Sequence, residues 1–128
     1  MVVIDTHVLI HDVIEPRRLS TRARRALAGA DGPLAVSDVT LWEIAMLIAR
    51  GRIDPATDAA QFIEDVVAAR SIRVLPITPK IAVLAQSEAF EHRDPADRII
   101  GATAIAHGAA LVSADKRLQR VPGLRVLW

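Results

Sequence analysis

The 128-residue chain contains no cysteine, and aromatic residues make up only 3% of it. The missing cysteine rules out disulfides and thiolate metal ligands, and it leaves the compartment undecided. Few aromatics mean an aliphatic core of Val, Ile, Leu and Ala. They also leave little for stacking nucleic-acid bases: Trp42, Trp128, Phe62 and Phe90. No apolar run approaches the ~20 residues of a membrane span. The opening Met1-Val2-Val3-Ile4-Asp5 has no basic n-region and meets an acid too early for a signal peptide, so a cytoplasmic protein without membrane association is expected. Neither sign of charge dominates. The formal net charge is +1 and the pI about 8.4, which neither demands nor excludes a nucleic-acid partner. No repeat, low-complexity stretch or linker is visible, and the length suits one domain, 1–128.

What is present is an alternation of short apolar runs and helical segments. Val2-Val3-Ile4, Leu34-Ala35-Val36, Arg73-Val74-Leu75, Ala110-Leu111-Val112-Ser113 and Leu124-Arg125-Val126-Leu127 read as strands. Between them, cap and stop residues predict helices. One runs over 7–14 and ends before Pro16. A second, over 21–29, is capped by Ser20 or Thr21 and closed by Gly29. A third, over 38–50, is capped by Ser37 and stopped by Gly51. A fourth, over 56–70, is opened by Asp54-Pro55. A fifth starts at Thr78-Pro79, and a sixth runs from Asp94-Pro95 to His107. A short helical turn is expected over 116–119. The pattern predicts an α/β fold: a central, mostly parallel sheet of about five short strands with helices on both faces. Ligands of such sheets bind at the carboxyl ends of the strands.

Four acids fall at those ends or at the helix starts beside them: Asp5, Glu43, Asp97 and Asp115. Each has an ordinary explanation on its own. Asp5, Asp97 and Asp115 suit helix starts, and Asp94 reads as an N-cap with Pro95 as the first helical residue. Glu43 is the hardest to explain that way. It sits in Val39-Thr40-Leu41-Trp42-Glu43-Ile44-Ala45-Met46-Leu47-Ile48-Ala49, which is apolar on nearly every face. Such a helix is expected to be largely buried, by the sheet or by a second subunit, and a buried glutamate needs a partner. Gathered carboxylates repel unless a cation sits among them, and hard oxygen donors suit Mg²⁺, with Mn²⁺ as a possible substitute. Ser113 and Thr6 would supply hydroxyls nearby, and Arg93 and Arg98 flank the Asp94–Asp97 segment. His7 and His11 are four apart, but no acid-rich zinc motif accompanies them. His92 falls in a loop and His107 at a helix end. Arg17, Arg18, Arg22, Arg24 and Arg25 form a basic stretch, in which Arg18, Arg22 and Arg25 would share a helix face. It could meet RNA phosphates, or be a solvated face, or meet an acidic partner segment.

Four blocks carry a family resemblance. They are Val3-Ile4-Asp5-Thr6-His7, Ser37-Asp38-Val39-Thr40-Leu41-Trp42-Glu43-Ile44, Arg93-Asp94-Pro95-Ala96-Asp97-Arg98-Ile99-Ile100-Gly101-Ala102-Thr103-Ala104, and Leu111-Val112-Ser113-Ala114-Asp115. In this order they resemble PIN-domain proteins and, more narrowly, the VapC toxins of bacterial VapBC toxin–antitoxin pairs. The resemblance implies a magnesium-dependent endoribonuclease, an RNA substrate, a VapB-type antitoxin partner and a homodimer. The family's catalytic and metal-binding acids would fall on Asp5, Glu43, Asp97 and Asp115, with Asp5 and Asp97 as the principal ligands and Asp94 nearby. His11 stands where relatives often carry Trp, and Ser113 where many carry Thr. Two other readings stay open: a PIN-like RNA-processing nuclease without a toxin role, and a non-catalytic metal-binding α/β module. A phospho-acceptor receiver fits less well, because Asp5 stands alone on its strand and Lys116 directly follows Asp115. Titration calorimetry with Mn²⁺ separates a metal site from acids that only cap helices: stoichiometric binding is expected, and its absence would leave capping as their whole role.

Overall fold

Val2–Ile4 form β1, three β-branched residues with no polar atom to solvate, and they lie at the centre of the sheet. The computed structural model describes residues 1–91 and 93–128; His92, expected in a loop, lies outside the described residues. The other strands are β2 (Leu34–Ser37), β3 (Arg73–Leu75), β4 (Ala110–Val112) and β5 (Val126–Leu127). Their spatial order is β3-β2-β1-β4-β5, and every recorded pairing is parallel. The strand order reverses beside β1, which makes the cleft at its carboxyl end the natural ligand position.

Six α-helices connect and cover the strands: α1 (Thr6–Ile14), α2 (Thr21–Leu27), α3 (Asp38–Ala49), α4 (Ala59–Ala69), α5 (Pro79–Ala85) and α6 (Pro95–Ala106). Ser20, Ser37, Thr78 and Asp94 cap α2, α3, α5 and α6, each accepting a hydrogen bond from an otherwise orphaned N–H of the first turn. The fourth helix begins later than the Asp54-Pro55 signal implies. Asp54 accepts from the Ala56 N–H, and Ala56 turns to φ 57°, which interrupts any helix there. Asp58 is the true cap. The last strand is also shorter than expected, because only Val126 and Leu127 pair with β4.

Strand alternation divides the core in two. Val2, Ile4, Leu34, Val36, Ala110 and Val112 face one side, where Val8 and Leu9 of α1, Ala23, Ala26 and Leu27 of α2, Ile44 of α3 and Val66 of α4 cover them. Val3, Ala35 and Leu111 face the other side, under Ile81 and Ala85 of α5 and Ile100, Ala102 and Ala104 of α6. Gly101 lets Phe90 lie on α6: a Cβ there would come within 2.7 Å of the ring.

The α3 helix departs from expectation. Its sequence is apolar all round, yet within one chain only Thr40 and Ile44 are buried, and Trp42 is 61% exposed. A cylinder that is apolar on all sides cannot be covered by a sheet on one side of it. Among the described residues, no helix is long and apolar enough to cross a membrane.

Leu111 sits on a central strand with no exposed surface. Leu111→Ala is expected to cost about 2–5 kcal/mol, by lost burial plus the cavity left behind. Urea denaturation measures this, and a loss below 1 kcal/mol on that scale would mean the second core is loosely packed.

Candidate metal centre

The alternation that points Val3 into the second core carries on to Asp5, immediately after β1. Asp5 is 2% exposed, and it stays fully hydrogen-bonded. Its Oδ1 caps α1 by accepting from the Thr6 N–H at 2.8 Å, and its Oδ2 accepts from the Ser113 hydroxyl at 2.6 Å. Ser113 lies at the end of β4, on the same face, and also accepts from the Asp115 N–H at 3.0 Å. One hydroxyl therefore links the first acid of the chain to the last.

Glu43 arrives from the opposite side. Thr6 Oγ1 donates to Glu43 Oε1 at 2.5 Å. A hydroxyl has one proton, so the 3.0 Å Thr6–Thr40 contact must run from Thr40 to Thr6. The chain Thr40→Thr6→Glu43 fixes the glutamate rotamer from a fully buried anchor.

Asp94 and Asp97 stand at the start of α6. Asp94 Oδ1 accepts from the N–H groups of Ala96 (2.9 Å) and Asp97 (3.4 Å), so its capping role is real. It does not exclude a second one: Glu43, Asp94 and Asp97 each place a carboxylate oxygen within 4.8 Å of the others. Asp115 caps its own turn by accepting from the Arg117 N–H at 2.8 Å, with the Arg117 guanidinium 3.4 Å away.

The electrostatics bind these acids into one group. Burial pushes Asp97 up to about 8, and Asp5, Asp94, Glu43 and Asp115 all add to the rise. Burial also raises Glu43; the Thr6 hydrogen bond opposes this, while Asp5 and Asp94 reinforce it. The structure brings Glu43 and Asp97 of the four expected acids into one cluster, with Asp94 as its third member, while Asp5 and Asp115 lie outside that cluster and reach Asp97 through their charge. Hard carboxylate oxygens at this spacing fit a divalent cation.

One of the two flanking cations, Arg98, has a structural role. Arg98 donates to the Ala85 carbonyl at 2.6 Å and so ties α6 to the end of α5. The basic stretch does not form a single stripe. Arg18 lies in a separate 3₁₀ turn beside Glu15, and Arg22 makes a two-pronged pair with Asp31 at 2.8 and 2.7 Å.

Spacing alone missed His7. Its Nε2 accepts from the Ala114 N–H at 3.1 Å, which leaves the proton on Nδ1, 3.4 Å from Asp5 Oδ2. The ring bridges the β1–α1 corner to the segment that carries Asp115, and His11 and Trp128 flank it at 5.8 and 6.3 Å. Its position two residues after a strand-ending Asp was the available signal.

A PIN-domain family model matches residues 2–124. The chain belongs to the PIN-domain family. It is 39% identical to Ribonuclease VapC22 of Mycobacterium tuberculosis (strain ATCC 25618 / H37Rv), over 99% of this chain and 98% of that protein. Its fold is similar to that of VapBC2 from Rickettsia felis, solved bound to a promoter DNA fragment, with TM-score 0.72, 17% identity and 98% and 97% of the two chains covered. It is also similar to a toxin–antitoxin complex from Klebsiella pneumoniae, with TM-score 0.65, 24% identity and 97% and 95% covered. At those identities the solved structures support the PIN fold alone, with its five-stranded parallel sheet.

The raised Asp97 pKa predicts a pH dependence of the metal-free protein. Its carboxyl goes from a usual 3.8 in the unfolded chain to about 8 in the folded one. Between those values the folded state holds a proton that the unfolded state has lost, so this contribution to stability falls as pH rises and levels off above the folded pKa. In EDTA, Asp97→Asn should therefore gain on the wild type in urea midpoint between about pH 5 and about pH 8, the gain growing with pH across that window. A constant difference across that window would show that Asp97 is not so perturbed.

Proposed function

We propose that this PIN-domain chain is a Mg²⁺-dependent endoribonuclease and the toxin of a VapBC-type pair, cytoplasmic and homodimeric. Asp5, Glu43, Asp97 and Asp115, joined by Asp94, form its centre. The observation that carries this reading is the Glu43–Asp94–Asp97 carboxylate cluster, with the charges of Asp5 and Asp115 acting on Asp97, in a chain similar over nearly its full length to a protein named as a ribonuclease.

Asp5 and Asp97 are the first choices for direct contact with the ion, with Glu43, Asp94 and Asp115 completing the set. A bound Mg²⁺ would lower the pKa of a water and neutralise charge on the phosphate under attack. The residues of the chain do the positioning. Ser113 and the Thr6 N–H hold Asp5 in place, one donating to each of its oxygens. Thr40 and Thr6 fix Glu43. His7, by accepting from Ala114, keeps the Asp115 segment against the first strand. Asp97 is the group whose proton must leave when a cation arrives, which supports tighter binding as pH rises through neutrality. Arg117, beside Asp115 and mostly exposed, is available to an RNA phosphate.

The partner assignment is supported by α3. Beyond Thr40 and Ile44 its apolar residues are only partly covered within one chain, with Val39 and Ile48 against the two cores and Trp42 exposed, and this surface suits a second copy or a VapB-type antitoxin.

Asp5→Asn should lower metal-dependent RNA cleavage by on the order of a hundredfold or more, with circular dichroism unchanged. Purified Asp5→Asn cutting RNA at the wild-type rate would remove Asp5 from the centre. The toxin role has its own check: expression should arrest growth, and co-expression of a short antitoxin gene adjacent to this one should relieve the arrest. Growth unaffected by an actively cleaving protein would favour an RNA-processing role instead.

A further inference from the structure

The uncovered face of α3 runs directly into the acid cluster. Trp42, Met46 and Arg50 are each four residues apart, so they align along one side of the helix. With Glu43 of α3 and Asp94, Pro95 and Ala96 at the start of α6, they line a cavity of about 310 Å³. Two of those residues, Glu43 and Asp94, belong to the carboxylate trio. The cavity therefore opens off the proposed centre, with an apolar floor between the acids at one end and a guanidinium at the other.

We propose that this cavity is a nucleobase subsite, in which one unpaired base next to the scissile bond lies against the Trp42 indole. Met46 and Pro95 line the remainder, and Arg50 meets a phosphate further along the strand. The inference rests on the nuclease reading and extends it to substrate recognition.

The order of chemistry along the groove favours a nucleotide strand over an apolar peptide. RNA presents phosphate, base and phosphate in turn. Along α3 the groove presents the Trp42 indole side by side with Glu43 of the acid cluster, then Met46 as an apolar step, then the Arg50 cation. Seven residues of helix, about 10 Å, separate Glu43 from Arg50, so both ends can be reached by adjoining nucleotides. Trp42 is 61% exposed in a chain with two tryptophans, and no packing demand within the chain accounts for it there. Stacking on an indole is sequence-tolerant, because every base has a π-face. One such wall beside the centre supplies the stacking that the low aromatic content otherwise denies this protein.

The test uses a short single-stranded oligoribonucleotide of mixed sequence in Mg²⁺, and versions of it with one abasic nucleotide at successive positions. Trp42→Ala should raise KM about tenfold with kcat within about twofold, and Trp42→Phe should recover most of the loss. The penalty should vanish on the substrate whose abasic position occupies the subsite. In a Trp128→Phe chain Trp42 is the only indole, and the intact oligonucleotide should quench its fluorescence saturably. That same abasic version should quench it poorly.

Cleavage with no quenching and an unchanged Trp42→Ala KM would overturn the subsite and leave the nuclease standing. Saturable, base-dependent quenching without cleavage would keep the subsite and sink the nuclease. If Trp42→Ala abolishes binding of the antitoxin but leaves KM for RNA unchanged, the face belongs to a protein partner and the proposal falls.

Discussion

Repulsion among carboxylates is the constraint around which this fold is arranged. Asp5, Glu43, Asp94, Asp97 and Asp115 all act on the charge state of Asp97 or are that group. Packing them together in a half-buried corner opposes folding, and three features limit the cost. Asp5 and Asp94 are N-caps, so the positive ends of α1 and α6 face them. Hydroxyls of Thr6 and Ser113 donate to Glu43 and Asp5. Asp97 relieves what remains by holding a proton near neutrality. Each device keeps an acid in place by a dipole, a hydroxyl or a proton.

This arrangement explains why much of the molecule was legible in the sequence. The central strands β1, β2 and β4 are buried on both faces, and such runs read as near-continuous apolar stretches. Ser20, Ser37, Thr78 and Asp94 marked helix starts because an orphaned N–H needs an acceptor, whatever the tertiary context. Asp54 misled because its signal was sound but local: it closes a turn at Ala56, and Asp58 four residues later does the capping. The four acids were visible as acids at strand ends and helix starts. Asp94 was read as an N-cap lying near the acidic set, and a carboxylate with two oxygens can cap and face the cluster at once. His7 stayed hidden because its partner is a backbone N–H 107 residues away, which no local pattern records.

The α3 helix carries two demands that conflict. It must hold Glu43 at a fixed angle, so one side is anchored through Thr40 and Ile44. It must also present surface, so Trp42 and much of the rest stay accessible. A helix serving only the core would show a clean polar face. This one is apolar on both its buried and open sides, and that is why its sequence predicts burial which a single chain does not deliver.

The hydrogen bond between Ser113 and Asp5 spans 108 residues. Domains emerge from the ribosome N-terminal end first, so Asp5 and Glu43 exist long before their partners. Until β4 docks beside β1, a growing or partly folded chain has neither the Ser113 donor nor Asp115, and an unfinished sheet cannot assemble the corner. On the proposed reading of this corner, catalytic competence is a late event in the life of each molecule. The topology separates making this protein from arming it, and it leaves an interval in which a partner can arrive first.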